Sequence, residues 1–430
     1  MRLLVPFTIP GERVRIRIVR RRGREAWAVL EEVVRASPHR VSPRCMHFGP
    51  ADFCGGCTWQ HIAYPEQLRL KTDLLRRLLA ASMRAHLPAV ADTLPATPLD
   101  EPWGYRHKVH FVFANASPRK PLIMGHYVRG SRRVFAAEEC PVHDPRGNAF
   151  AFALWDECAA AGIRAAGPTL THGTVRHVAV RTAAATGHTM ATLVVTNAGD
   201  KRLRSATRSA LARKEAPESF HLNLHPRPDA YLFGRETRHV RGPRQLRETV
   251  AGASFLLSPT AFFQTNVRAA EILVRLVLDA LPSGLQVLDL YAGVGLFAIP
   301  LARRGDRVTA IEENRAATED GIASLALNRV PADRCRYVAR RVESALRGIA
   351  PGSVDHVVLD PPREGCERSL IDEVFGRLRP QRAVYVSCNP EALARDLPLV
   401  VRHGYRVRQL QPVDMFPHTA HVETVAVVDR

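Results

Sequence analysis

Hydrophobic and polar positions change period along this chain, and the changes divide it into three textures. Residues 13–34 alternate basic with β-branched side chains (Arg13-Val14-Arg15-Ile16-Arg17-Ile18-Val19, then Ala26-Trp27-Ala28-Val29-Leu30), the pattern of half-exposed strands in a small β module. Pro38, Pro43 and Pro50 break that pattern, and Tyr64 to Met83 then has helical spacing with Lys71, Arg76 and Arg77 on its polar side. From Tyr105 to Leu232, short strands (Val109–Phe113, Val175–Val180, Thr192–Val195) surround a helix over Phe150–Ala161, which predicts an α+β domain. Beyond Leu256 helices and strands alternate: a helix over Ala269–Leu281, then strands at Gln286–Leu290, Val308–Ile311, Val354–Leu359 and Ala383–Val386. That alternation predicts a doubly wound parallel sheet. The expected domains are 1–36, 37–250 with a cysteine-bearing subdomain over 40–80, and 251–430.

Composition sharpens this picture. A chain of 430 residues with 46% hydrophobic and 24% charged residues is an ordinary folded protein of two or three domains. The 61 Lys and Arg against 42 Asp and Glu leave a formal charge of +19, which favours a polyanionic partner, although a solvated basic face would give the same excess. No apolar run reaches the ~18 residues of a membrane helix. The apolar start, Met1 to Pro10, meets Glu12, Arg13 and Arg15 with no cleavage-site pattern, so a cytoplasmic location is expected. Eight cysteines in a cytosolic chain of this size are expected to be core residues, metal ligands or a nucleophile.

The candidate chemistry lies at the C-terminal ends of the predicted sheet strands, where open α/β sheets bind ligands. Asp289-Leu290-Tyr291-Ala292-Gly293-Val294-Gly295 joins a strand to a helix through a glycine turn that lets a ligand approach the backbone, without the longer fingerprint of a pyrophosphate site. Glu312 ends the next strand, placed to accept from a ribose diol; a surface carboxylate beside Glu313 is the plainer reading. Asp360 opens the rigid Asp360-Pro361-Pro362-Arg363 loop, though Asp also suits a helix cap there. Cys388 follows a further strand in the loop Ser387-Cys388-Asn389-Pro390, a polar setting unlike that of Cys158, Cys335 and Cys366, which are expected in the core. Glu423 interrupts the apolar strand at 421–428, where burial would raise its pKa into the range of a general base; His418 and His421 are lesser candidates.

Five ordered motifs, Phe262-Phe263-Gln264-Thr265-Asn266, Asp289 to Gly295, Asp360-Pro361-Pro362-Arg363, Ser387-Cys388-Asn389-Pro390 and His421-Val422-Glu423-Thr424, resemble the RNA uracil-5 methyltransferases, specifically the iron–sulfur branch that acts on 23S ribosomal RNA. The resemblance covers nearly the whole chain. It implies a Rossmann-like C-terminal methyltransferase domain, a central RNA-binding domain and an N-terminal OB-like (TRAM) module. It further implies that Gln264, Tyr291, Gly293, Glu312 and Asp360 contact S-adenosylmethionine, that Cys388 is the nucleophile and that Glu423 is the base. Carbon 5 of uracil is too weak a nucleophile to take a methyl group directly, and thiolate addition to C6 overcomes this. Two positions depart from the family pattern: Leu296 stands where a small polar residue is usual, and Arg341 where Asn or Asp often contacts the adenine.

Cys45, Cys54, Cys57 and the distant Cys140 suit either a structural zinc or an iron–sulfur cluster by spacing, and the resemblance implies the four ligands of a 4Fe–4S cluster. The N-terminal module resembles only the latter half of the TRAM domain. The stretch Gly104 to Phe111 matches a basic–aromatic part of the central domain where bases would stack, unless its aromatic residues pack into a core. The implied substrate is RNA, 23S ribosomal RNA ahead of the transfer-RNA T-loop, with no membrane, no obligate protein partner and a monomeric enzyme. Two other readings are an amino-methyltransferase acting on adenine or guanine, which needs no thiol, and a non-catalytic RNA-binding or redox-sensing protein built on the cysteine cluster.

Overall fold

The computed structural model describes residues 2–430 other than 51–52, 84–86, 99, 117–121, 167–172 and 229–230. At the N-terminus Arg13–Arg22 and Glu25–Arg35 form an antiparallel hairpin, and Arg2–Leu4 adds parallel to Glu25–Arg35. This is a three-stranded sheet with Ala26 and Ala28 buried beneath it. Glu12 fastens it to the cysteine-rich segment: its carboxylate accepts from Arg40 Nε at 2.6 Å and from the backbone N–H groups of Ile9 and Ser37. Burial pushes that carboxyl up, but the Arg40 guanidinium and the backbone donors outweigh it and hold the pKa near 2.

The central domain is a seven-stranded sheet running from the edge strand Glu236–Arg241 to the edge strand Val134–Ala136. One face packs Val109, Phe111, Val178, Val180 and Leu193 against the helices Pro145–Ala160 and Lys201–Ala212. The first of these helices begins five residues before the expected Phe150, because Asp144 caps it by accepting from the Arg146 N–H at 2.9 Å and Pro145 occupies its first turn. Tyr105 and Phe111 are buried, at 3% and 0% exposure, so these aromatic residues of the basic–aromatic stretch pack into the core and offer no stacking surface.

The C-terminal sheet has eight strands, in the order Cys335–Ala339, Arg307–Glu312, Gln286–Leu290, His356–Leu359, Arg382–Ser387, Glu423–Asp429, Arg406–Asp414 and Leu94–Pro95. The first five are parallel, and strand order reverses beside Gln286–Leu290, which opens a crevice at the strand ends. The expected all-parallel sheet stops there. Glu423–Asp429 runs antiparallel to both of its neighbours, because only residues 415–422 connect it to Arg406–Asp414 and a parallel crossover needs roughly a dozen residues or more.

Two further elements cross the expected boundaries. The hairpin Leu246–Val250/Ala253–Leu257 turns at Ala251 and Gly252, both with positive φ, and buries Val250, Ala253, Phe255 and Leu257 in the C-terminal core; the boundary expected after residue 250 falls in its turn. The helix Tyr64–Ser82 buries Leu75 and Leu79 in the same core as Leu393 and Leu397. Lys71 of that helix is fully buried and donates to Asp414 Oδ1 at 2.5 Å and to the Phe416 carbonyl at 3.0 Å. Lys71→Met strands a buried carboxylate and is expected to cost about 3–5 kcal/mol in a denaturant titration, with much of the loss recovered in the double variant that also carries Asp414→Asn.

Candidate active site

Four of the five parallel strands end in a candidate polar residue: Tyr291, Glu312, Asp360 and Cys388. Gln286–Leu290 ends at Tyr291, whose φ of +63° is strained for a non-glycine residue, followed by Gly293 and Gly295 at φ +55° and +92°. A Cβ on Gly295 would lie 2.4 Å from Tyr337 Oη, so this turn has no room for a side chain there. Arg307–Glu312 ends at Glu312, whose two carboxylate oxygens accept from the Gly293 N–H at 3.0 Å and the Asn314 N–H at 2.7 Å. The carboxylate therefore braces the glycine turn, with lone pairs left over for a further donor. Gln264 and Phe262, the latter 68% exposed, lie just before the helix Val267–Ala280, which Asn266 caps while donating to the Met415 carbonyl at 3.1 Å.

Asp360 follows His356–Leu359, and Cys388 follows Arg382–Ser387 in the neighbouring strand. Ser387 Oγ donates to the Asn389 carbonyl at 3.0 Å, Asn389 caps the helix Pro390–Arg402, and Asn389 Nδ2 donates to the Arg363 carbonyl at 2.9 Å. These bonds tie the Cys388 loop to the Asp-Pro-Pro-Arg loop. Across the antiparallel junction Ser387 pairs with Thr424, which sets Glu423 beside Cys388. Glu423 is 2% exposed and its Oε1 has no hydrogen-bond partner.

Electrostatics follow from this crowding of acids in a dry place. Burial, then the charge of Asp360, drives the Glu423 carboxyl well above its ordinary range, with the Arg363 guanidinium opposing. Burial lifts Asp360 to about 7. Asp289, fully buried with both oxygens lacking a well-formed hydrogen bond, is pushed well up by burial and by Asp360. The Cys388 thiol is raised to about 11 by burial and the negative charges of Glu423 and Asp360, against Arg363. A crevice of buried acids is complementary to a ligand that carries positive charge.

Sequence reasoning missed the part of Arg363, the cation that opposes the upward shifts of Glu423 and Cys388, and of Asp289; both lay inside quoted motifs, but their roles depend on neighbours distant in the chain. Leu296, 7% exposed, is a core residue packed with Val294 and Phe297. Arg341 is 70% exposed and lies near Glu313 and Glu343, at 4.0 and 3.5 Å. Of the lesser candidate bases, His418 is buried with both ring nitrogens in hydrogen bonds, to Gln67 and the Pro102 carbonyl, so it has no lone pair for a substrate. His421 is exposed at the surface, and partial desolvation of its ring, then the charge of Arg363, lowers its pKa.

A second centre lies between the cysteine-rich segment and the central sheet. Cys45, Cys54, Cys57 and Cys140 line one cavity together with Arg106, His126 and His143. Burial and the other thiols' negative charges raise the pKa of Cys57 to about 11 and push Cys140 further. Four thiols that resist ionisation in one another's presence fit a metal centre, because cations relieve that repulsion. Ligand atoms of His126, Cys140 and His143 also lie within 4.8 Å of one another, histidines that the cysteine spacing gave no reason to expect. Cys158, Cys335 and Cys366 are buried in cores, as expected.

The fold and the strand-end site define an α/β transferase with a cysteine beside a buried carboxylate. Residues 189–430 match the family described as tRNA (Uracil-5-)-methyltransferase. The whole chain is 33% identical to an uncharacterized RNA methyltransferase of Gloeobacter violaceus, covering 91% of that protein. It is 34% identical over 99% of its length to another from Thermosynechococcus vestitus, covering 92% of it. The crystal structure of a Pyrococcus abyssi tRNA (uracil-54, C5)-methyltransferase in complex with S-adenosyl-L-homocysteine is similar over 99% of this chain and 95% of that one, with a TM-score of 0.78 and 27% identity. The chain belongs to the tRNA (uracil-5-)-methyltransferase family and is an RNA methyltransferase.

Since the thiolate is the reactive form, alkylation of Cys388 by iodoacetamide in the ligand-free protein is expected to rise about tenfold per pH unit through the alkaline range. Peptide mass spectrometry across the pH range should place the midpoint near 11.

Proposed function

We propose that this enzyme transfers the methyl group of S-adenosylmethionine to carbon 5 of a uridine in RNA, with Cys388 as covalent nucleophile and Glu423 as base. The observation that carries the reading is the Ser387–Thr424 pairing, which puts a thiol and an unpartnered buried carboxylate side by side at the mouth of the crevice. The acid-lined crevice supports a sulfonium ligand. Glu312 would take the ribose, Tyr291 and Gly293 the adenosine side, and Gln264 and Asp360 the amino-acid end; the relative bound to S-adenosyl-L-homocysteine supports the same choice.

In the reaction the Cys388 thiolate adds to C6, and the electron pair displaced from the C5=C6 bond makes C5 a nucleophile that takes the methyl group as the S–CH3 bond breaks, its electron pair staying on sulfur and S-adenosylhomocysteine leaving. Glu423 then removes the C5 proton; the C5–H pair restores the C5=C6 bond and the C6–S pair returns to the thiolate. A carboxyl with a raised pKa holds that proton well, which suits a base acting once per turnover. The target uridine must leave its stack to reach Cys388, which accounts for the accessory domains and the basic charge.

The four cysteines would hold a 4Fe–4S cluster; zinc is the other occupant the donor set accepts. When bound, such a centre cross-links the cysteine-rich segment to the central sheet. A uridine of 23S ribosomal RNA is the target that the iron–sulfur ligand set favours, and the full-length likeness to a tRNA uracil-54 enzyme supports the transfer-RNA T-loop as a second reading. The enzyme is read as a cytoplasmic monomer.

Incubation under anaerobic conditions with labelled S-adenosylmethionine and C5-tritiated 23S or transfer RNA tests this. Tritium release and methylation should both fall by at least about 10³-fold in Cys388→Ala, and the RNA that responds identifies the target. Methylation that survives without Cys388 would point to an amino-methyltransferase.

A further inference from the structure

Glu423 has no side-chain donor to hold it: Oε1 lacks a partner and Val422, Thr424 and Val425 around it are buried. Its position is set by its backbone, and so by the loop over residues 415–422 that feeds the strand. That loop is fastened at one residue more than any other. His418 adopts φ +64°. Its N–H donates to Gln67 Oε1 at 2.7 Å, and its Nδ1 lies 3.2 Å from Gln67 Nε2. Its Nε2 lies 3.0 Å from the Pro102 carbonyl, and its ring stacks on Trp103 with centroids 4.0 Å apart. Its carbonyl accepts from the N–H groups of both Thr58 and Trp59 at 2.9 Å, immediately after Cys57.

These contacts require one protonation state. The Pro102 carbonyl can only accept, from Nε2–H, and Nδ1 faces the Gln67 amide nitrogen, which cannot accept and also serves the Trp59 and Ile62 carbonyls at 3.1 and 2.9 Å, so the ring is the neutral Nε2–H tautomer. Burial agrees, lowering its pKa to about 4. The flanking bonds serve the same end: Tyr105 Oη donates to the Pro417 carbonyl at 3.0 Å, and Lys71 and Asn266 to those of Phe416 and Met415. Segments from the cysteine-rich region, the central domain and the start of the C-terminal domain thus meet on a loop that ends at the base.

We propose that His418 is a positioning residue for the proton-abstraction step, locking the 415–422 loop to the cysteine-rich segment so that the Glu423 carboxylate stands at the C5 proton of the adduct. The inference rests on the reading of Glu423 as base. It separates two functions of the crevice. The proposed cofactor contacts at Tyr291, Gly293, Glu312 and Asp360 come from the ends of the parallel strands and not from the loop, whereas removal of the C5 proton depends on it.

The test compares wild type with His418→Ala, His418→Asn and Gln67→Glu, using RNA with hydrogen or deuterium at C5 of the target uridine. For His418→Ala, affinity for S-adenosylmethionine should stay within about twofold while kcat falls roughly tenfold to a hundredfold, the scale of a misplaced catalytic group. Methylated RNA should accumulate covalently bound to Cys388 on denaturing gels, and the C5 deuterium isotope effect on kcat should grow. Asn tolerates the left-handed backbone and should restore part of the rate. Gln67→Glu keeps the acceptor for the His418 N–H and loses the amide donor that faces Nδ1 and serves the Trp59 and Ile62 carbonyls, so it should show the same signature and serves if His418→Ala does not fold. Unchanged turnover, or a loss with neither adduct nor larger isotope effect, overturns the proposal. Glu423→Gln is the control: adduct there but not in the His418 and Gln67 variants sinks the positioning role alone, whereas no adduct in Glu423→Gln removes the base reading and the proposal with it.

Discussion

The antiparallel pairing between Arg382–Ser387 and Glu423–Asp429 is the constraint on which the site depends. In a sheet of parallel strands every C-terminal end lies on one edge, so residues there must come from strand ends. Reversing one strand brings its beginning to that edge instead. Thr424 then faces Ser387, and a carboxylate one residue earlier in the chain stands beside a thiol one residue later. The short loop over 415–422 imposes the reversal, since it is too short to cross over the sheet.

Burial of ionisable groups without full compensation is the energetic counterpart. Asp289, Asp360 and Glu423 crowd one crevice, and among the described residues of a chain with 19 more basic than acidic residues Arg363 is the cation that opposes the shift of Glu423. Such groups shift toward their neutral forms, which limits the cost of burying them and leaves a site that gains from positive charge entering it. A thiol held near 11 by burial, and then by the charges of Glu423 and Asp360, is largely protonated and unreactive until positive charge arrives.

The accessory segments are built around the same edge. The helix Tyr64–Ser82 reaches the C-terminal core through Leu75 and Leu79 and ends the buried Lys71–Asp414 pair beside the loop that precedes Glu423. A buried ion pair contributes little net stability against an apolar replacement, and its use here is to specify one arrangement of two segments far apart in the chain. Cys57, which lines the cysteine cavity, directly precedes Thr58 and Trp59, whose N–H groups donate to the His418 carbonyl of the loop over 415–422.

Much of this was legible beforehand. Strand-end residues Tyr291, Glu312, Asp360 and Cys388 could be placed because an alternating α/β pattern, once recognised, puts each strand's last residue on one edge, a purely local inference. Glu423 stood out for the same kind of reason, a charge in an apolar strand. The tertiary structure alone decided the direction of that strand, the crossing of Leu94–Pro95 and the helix Tyr64–Ser82 into the C-terminal domain, the burial of Tyr105 and Phe111, and the convergence on His418. Local periodicity reports which face of an element is apolar. It carries no record of which distant element covers that face, and each of these outcomes is set by a contact between residues far apart in the chain.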